Sequence, residues 1–83
     1  EGAVLGARRV KNRIYLNFGE DWRNDFTVMA SAENLPRFMA VGLDPLALSG
    51  SRIRVRGWVE RVNGPLIEAT HPEQIEILAP GPP

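Results

Sequence analysis

Four basic residues, Arg8, Arg9, Lys11 and Arg13, fall within six positions, and no acid lies between Gly2 and Gly19. Cationic side chains at that density neutralise phosphates, the sequence-independent part of nucleic-acid binding. Tyr15 and Asn17 follow at once. An aromatic ring beside such a cluster is what a single strand needs to stack a base, worth about 1–3 kcal/mol. Arg52, Arg54 and Arg56 recur at every other position, and Arg61 adds a charge beside Asn63-Gly64. Catalytic combinations are scarcer. His71 is the one imidazole, Pro72 follows it, and no serine or cysteine nucleophile is near it in sequence, so its expected role is to bend the chain. Glu20-Asp21-Trp22-Arg23-Asn24-Asp25 holds three acids but lacks EF-hand spacing and a second acidic segment. Calcium needs about six oxygen ligands, so a polar hairpin loop is expected, with no metal and no cofactor. Trp22 then folds back on the sheet or meets a partner domain. Trp58 is either half-buried beneath the C-terminal segment or part of a surface that docks a neighbour. The two tryptophans are the candidate partner-interface residues.

These side chains need strands to hold them. Gly2 to Val10 reads as a first strand with Val4 and Ala7 inward, and their odd offset calls for a bulge near Leu5-Gly6. Lys11-Asn12 is a tight turn. In Arg13–Gly19, Ile14, Leu16 and Phe18 alternate with Arg13, Tyr15 and Asn17, which places the two sets on opposite faces. Phe26, Val28 and Ala30 repeat the pattern in a third strand, with Thr27 and Met29 outward beside Tyr15 and Asn17. From Asn34 the period changes: Leu35, Phe38, Met39 and Gly42 fall at helical spacing, with Pro36 near the start and Gly42 as a stop. Asp44-Pro45 then caps a second short turn. Arg52 to Glu60 alternates again, with Ile53, Val55 and Val59 inward and the arginines and Trp58 outward. Asn63-Gly64 signals a hairpin, Leu66–Thr70 returns as a strand, and Ile75 and Ile77 close the last one.

The order is three strands, a short helix, then two strands. It predicts an all-β fold, a five-stranded Greek-key barrel of the oligonucleotide/oligosaccharide-binding (OB) type with one short helix between strands three and four. An SH3-like barrel is the competing architecture, but a helical insertion of this length is unusual there. In the OB arrangement the Lys11-Asn12 and Asn63-Gly64 turns border the ligand cleft. Arg8, Arg9, Lys11, Arg13, Tyr15, Asn17, Arg54, Arg56 and Arg61 are therefore the candidate nucleic-acid-binding residues. The core should contain Ile14, Leu16, Phe18, Phe26, Val28, Ile53, Val55, Val59 and Ile67, with Phe38 or Leu35 plugging one end.

Composition agrees with one small domain. Eighty-three residues, 43% hydrophobic and 24% charged, suffice for a single core. Ten basic and ten acidic residues give no net charge, so any affinity for nucleic acid must come from where the charges sit. Without cysteine there is no disulfide framework and no thiol nucleophile, and the redox compartment stays open. No apolar run approaches a membrane span, and no membrane partner is expected. The OB domain is expected over 1–78, with 79–83 as a Pro/Gly-rich tail, and the absence of an initial Met suggests a piece of a longer chain.

The motifs Gly2-x-Val4, Ile14-Tyr15-Leu16-Asn17-Phe18-Gly19-Glu20-Asp21-Trp22-x-x-Asp25-Phe26-Thr27-Val28, Gly42-Leu43-Asp44-Pro45, Arg54-Val55-Arg56-Gly57-Trp58 and Asn63-Gly64-Pro65-x-Ile67-Glu68-x-Thr70-His71-Pro72-Glu73-Gln74-Ile75-Glu76 carry a further signal. From Gly2 to Leu78 the chain resembles the small OB-fold domain that follows the nuclease domain in some bacterial thermonuclease-like (staphylococcal-nuclease-like) proteins. The resemblance implies an accessory module beside a phosphodiesterase domain. It brings no catalysis with it, because the arginines, glutamate and calcium-binding aspartates of the nuclease signature belong to the other domain. The functional expectation is a non-catalytic module that binds single-stranded DNA or RNA weakly in the service of a neighbouring nuclease-like domain. The alternative is a protein- or domain-interaction module with no nucleic-acid affinity.

Overall fold

A computed structural model describes residues 1–19, 26–61 and 64–81. The fold is mostly β, with 45% of the described residues in strands and one short helical stretch. Eight strand segments, β1 (Gly2–Ala3), β2 (Gly6–Val10), β3 (Arg13–Asn17), β4 (Thr27–Ser31), β5 (Arg52–Val55), β6 (Val59–Arg61), β7 (Pro65–Glu68) and β8 (Ile75–Ala79), form two open sheets. One sheet has the order β1-β5-β8 and the other β2-β3-β4-β7-β6. The expected first strand is β1 and β2, interrupted at Val4-Leu5, next to the Leu5-Gly6 position expected for a bulge. The expected fourth is β5 and β6, broken at Arg56–Trp58. Chain continuity at these two breaks joins the sheets. All pairings are antiparallel except β4 with β7, which run parallel.

Gly57 is what allows the second break. A Cβ there would stand 2.7 Å from Ile67 Cγ2 and 3.1 Å from Gln74 Nε2, too close for any side chain. Gln74 ties the strand ends at this point: its Nε2 donates to the carbonyls of Arg56 (3.0 Å) and Glu68 (3.2 Å), and its Oε1 accepts from the backbone N–H of Thr70 and His71.

The alternation of β3 and β4 is as predicted: Ile14, Leu16, Val28 and Ala30 are buried, and Tyr15 lies on the other face. Ile53 and Ile67 are also buried, while Phe18, Phe26, Leu35 and Val55 pack partly buried against the core. Val59 is a correction. It shares the inward face with its cross-strand partner Ile67 but is 56% exposed. The reason is its position at the mouth of a cleft of about 700 Å³ between the two sheets, which Phe18, Phe26, Val55 and Ile67 also line.

Between β4 and β5 a 3-10 turn, Ala32–Asn34, runs into α1, Leu35–Ala40, with Pro36 in its first turn, where no N–H is required. Phe38 on α1 is fully buried and fills the core end. Gly42, at φ 75°, stops the helix. Asp44 Oδ1 then accepts from the Leu46 N–H at 3.0 Å, capping the next turn. At the C-terminus β8 extends to Ala79, opposite Arg52, and the Gly81 N–H donates to Ser51 Oγ.

Candidate nucleic-acid interface

The antiparallel register of β2, β3 and β4 sets which side chains share the outer face of the five-stranded sheet. Arg8 pairs with Tyr15 and Tyr15 with Met29; one row away Asn17 pairs with Thr27; at the turn end Arg13 pairs with Ser31. The parallel pairing carries the second row across the sheet, from Thr27 to Leu66, and Leu66 in turn pairs with Glu60. These rows enclose a groove of about 450 Å³. Arg8 and Arg13 stand on one flank, Glu60 on the other, and Tyr15, Met29 and Leu66 line the space between them.

Of the predicted residues, the groove therefore collects Arg8, Arg13, Tyr15 and Asn17. Lys11 occupies the adjoining turn at φ 55°, the left-handed region that favours glycine. Arg9 has opposite parity, across from Ile14; it extends past the core end, and its Nε donates to the Lys11 carbonyl at 3.0 Å. Arg61 lies exposed in β6, opposite Pro65 and next to the groove residue Glu60. Arg54 and Arg56 do not join this group, because the break at Gly57 puts them outside the five-stranded sheet. Arg54 lies on β5, where Nη2 meets Glu1 Oε1 and Nη1 meets Glu76 Oε1, both at 3.2 Å, and Arg52 Nε meets Glu1 Oε2 at 3.1 Å. The two hydrogen bonds, that from Arg52 first, hold the Glu1 carboxyl below the usual carboxylate range. Arg56 lines the inter-sheet cleft.

Trp58 is 91% exposed beside Gly57, so it is not covered by the C-terminal segment. Trp22 and the acidic stretch Glu20–Asp25 lie outside the described residues, as does Asn63. His71 has settled partners: Arg37 Nη1 lies 3.1 Å from its Nε2, and Thr70 Oγ1 lies 2.8 Å from its Nδ1. Among the described residues no group of three His, Asp or Glu side chains could hold a metal ion, and no helix is long and apolar enough to cross a membrane.

Sequence reasoning missed Glu60 as a groove residue. The available signal was parity: Glu60 follows Trp58 by two positions and so shares its outward face. Pro65 and Leu66 also line the groove, a placement that depends on the parallel pairing of β4 with β7. No family model, curated protein or solved structure matches the chain.

Proposed function

We propose that the chain is an OB-type module without catalysis of its own, whose outer groove binds single-stranded DNA or RNA weakly, as an accessory to a nuclease-like domain of its parent protein. The strand order supports the fold reading. β2-β3-β4 is a meander, β4 runs parallel to β7, β7 is antiparallel to β6, and β5 returns to β1. With β1/β2, β5/β6 and β7/β8 each counted as one bent or interrupted strand, the eight segments reduce to five, and that circuit supports reading them as the Greek-key order of an OB barrel.

The observation that carries the functional reading is the convergence of Arg8, Arg13 and Tyr15 on one groove. Arginine neutralises phosphate and the phenol ring stacks a base. One ring and two guanidinium groups imply a modest affinity that falls steeply with salt. Titration of a fluorescent single-stranded oligonucleotide at low salt tests this directly, and failure to bind would remove the proposal.

A second reading rests on Trp58. Its indole is exposed to 91% and the adjacent Val59 to 56%, an apolar pair that supports an interaction module docking a neighbouring domain. Trp58→Ala discriminates the two: it leaves oligonucleotide affinity unchanged under the first reading and abolishes domain association under the second.

A further inference from the structure

The groove is electrically lopsided. Arg13 on β3 and Glu60 on β6 are three strand spacings apart, about 14 Å across the strands, and are also offset along them, because Glu60 falls in the row of Leu66, Thr27 and Asn17; Arg8 on β2 is one strand farther. These charges lie too far apart across the sheet to cancel as an ion pair, and none forms one among the described residues. A ligand made only of phosphate satisfies the arginine flank and is repelled by the carboxylate. The matching ligand is anionic on one side and rich in hydrogen-bond donors on the other.

A nucleotide has that polarity when its base edge points at Glu60. A carboxylate only accepts hydrogen bonds, through two oxygens side by side. Guanine presents two adjacent donors on its pairing edge, N1–H and the N2 amine, and meets a carboxylate bidentately. Cytosine and adenine offer one amine each. Thymine and uracil set two carbonyl oxygens around their single N–H, which a carboxylate repels. Tyr15, Met29 and Leu66 supply the apolar floor on which the base lies between the two flanks.

From this geometry we infer that the groove selects guanine, with Glu60 as the residue that reads the base edge and Arg8 and Arg13 as the phosphate contacts. The inference rests on the nucleic-acid reading above and adds base preference to it. It runs against the usual bias of single-strand binders, in which modest preferences come from stacking strength and backbone flexibility rather than from hydrogen-bond readout.

The test is a competition titration at constant low salt with three oligodeoxynucleotides: a dT run, the same run with one central guanine, and the same run with inosine in place of that guanine. Inosine keeps N1–H and lacks the N2 amine. The guanine strand is expected to bind about tenfold more tightly than the dT run, as one good bidentate contact allows, and the inosine strand to fall between them. In Glu60→Gln, an exposed substitution of like shape, the ratio should collapse toward parity while binding of the dT run is kept or improved. Equal affinity for all three strands, or a guanine preference that survives in both Glu60→Gln and Glu60→Ala, overturns the inference and leaves the nucleic-acid reading standing. No binding of any strand overturns both.

Discussion

On the three-stranded sheet Arg52 and Arg54 share the carboxylate of Glu1, and Arg54 also reaches Glu76. On the five-stranded sheet Arg8 and Arg13 open on a groove in which Glu60 is the acid among the described lining residues, held on the far flank. The two surfaces carry the same side chain, and what separates them is the partner across the strand. Where the antiparallel register sets β5 beside β8, Arg54 falls opposite Glu76. In the hairpin of β2 and β3, Arg8 falls opposite Tyr15. Paired charges neutralise one another and compete with any polyanion for the guanidinium. Arg8 and Arg13, which form no ion pair among the described residues, remain available next to an aromatic ring.

The strongest way to break the comparison is to remove the core that both faces share. Phe38 is fully buried where α1 meets the sheets, so Phe38→Ala should cost about 3–5 kcal/mol in urea unfolding and abolish both surfaces at once. Phe18→Ala should cost less. The Phe18 ring is only partly buried and meets Phe26 edge-on with centroids 6.5 Å apart, on the lining of the inter-sheet cleft.

Next come changes that touch one face. Tyr15→Ala is expected to weaken oligonucleotide binding by about 1–3 kcal/mol without changing its salt dependence. Arg13→Ala should lower the slope of log K against log salt by roughly 0.7, the value for one lost phosphate contact on a single strand. Arg54→Ala should do neither, because its guanidinium is already engaged by Glu1 and Glu76. An equal drop in slope for Arg54→Ala and Arg13→Ala, measured by fluorescence anisotropy, would erase the distinction between the faces.

The hairpin half of this picture was legible in the sequence. Ile14 and Leu16 alternate with Tyr15 and Asn17 over a strand whose one buried face fixes its register, and a one-residue slip would have exposed both apolar side chains. The helix was readable too, from Phe38 at its spacing and Gly42 at its stop. The arginine partners were not. Arg54 meets Glu1 across 53 positions of chain and Glu76 across 22, and nothing local in Arg52-Ile53-Arg54 announces either acid. Parity alone joined Arg52, Arg54 and Arg56 to the Tyr15 face, and the break at Gly57 undid that by moving β5 into the other sheet. Val59 failed for a related reason: parity gives the direction of a side chain, and only tertiary packing decides whether anything covers it.

A smaller effect sharpens the comparison at the basic turn. Lys11 holds a left-handed backbone, φ 55°, that costs a non-glycine residue about 1 kcal/mol. Lys11→Gly should therefore raise stability by up to about that amount while lowering the salt slope of binding, so that stability and affinity move in opposite directions. Loss of both would mean that the lysine side chain supports the turn.

The smallest expected effect lies on the paired face and follows from the sign of one titration. Arg52 and Arg54 favour the charged form of Glu1, so its carboxyl should titrate below the ordinary 4.5 in the folded protein. A group whose folded value is depressed contributes stability above its unfolded value and loses that contribution as pH falls through the folded one. The carboxylate is solvent-exposed, so the contribution is screened and should fade further with added salt. Two-dimensional NMR of the Glu1 side-chain carboxyl across the acid range measures it. Arg52→Ala should raise the midpoint most, Arg54→Ala should raise it less, and Arg13→Ala should leave it alone. A Glu1 midpoint that ignores Arg52 and Arg54 would mean the pair does not persist in solution. Arg52 and Arg54 would then be as free as Arg8 and Arg13, and the salt slopes of the two faces would have to converge.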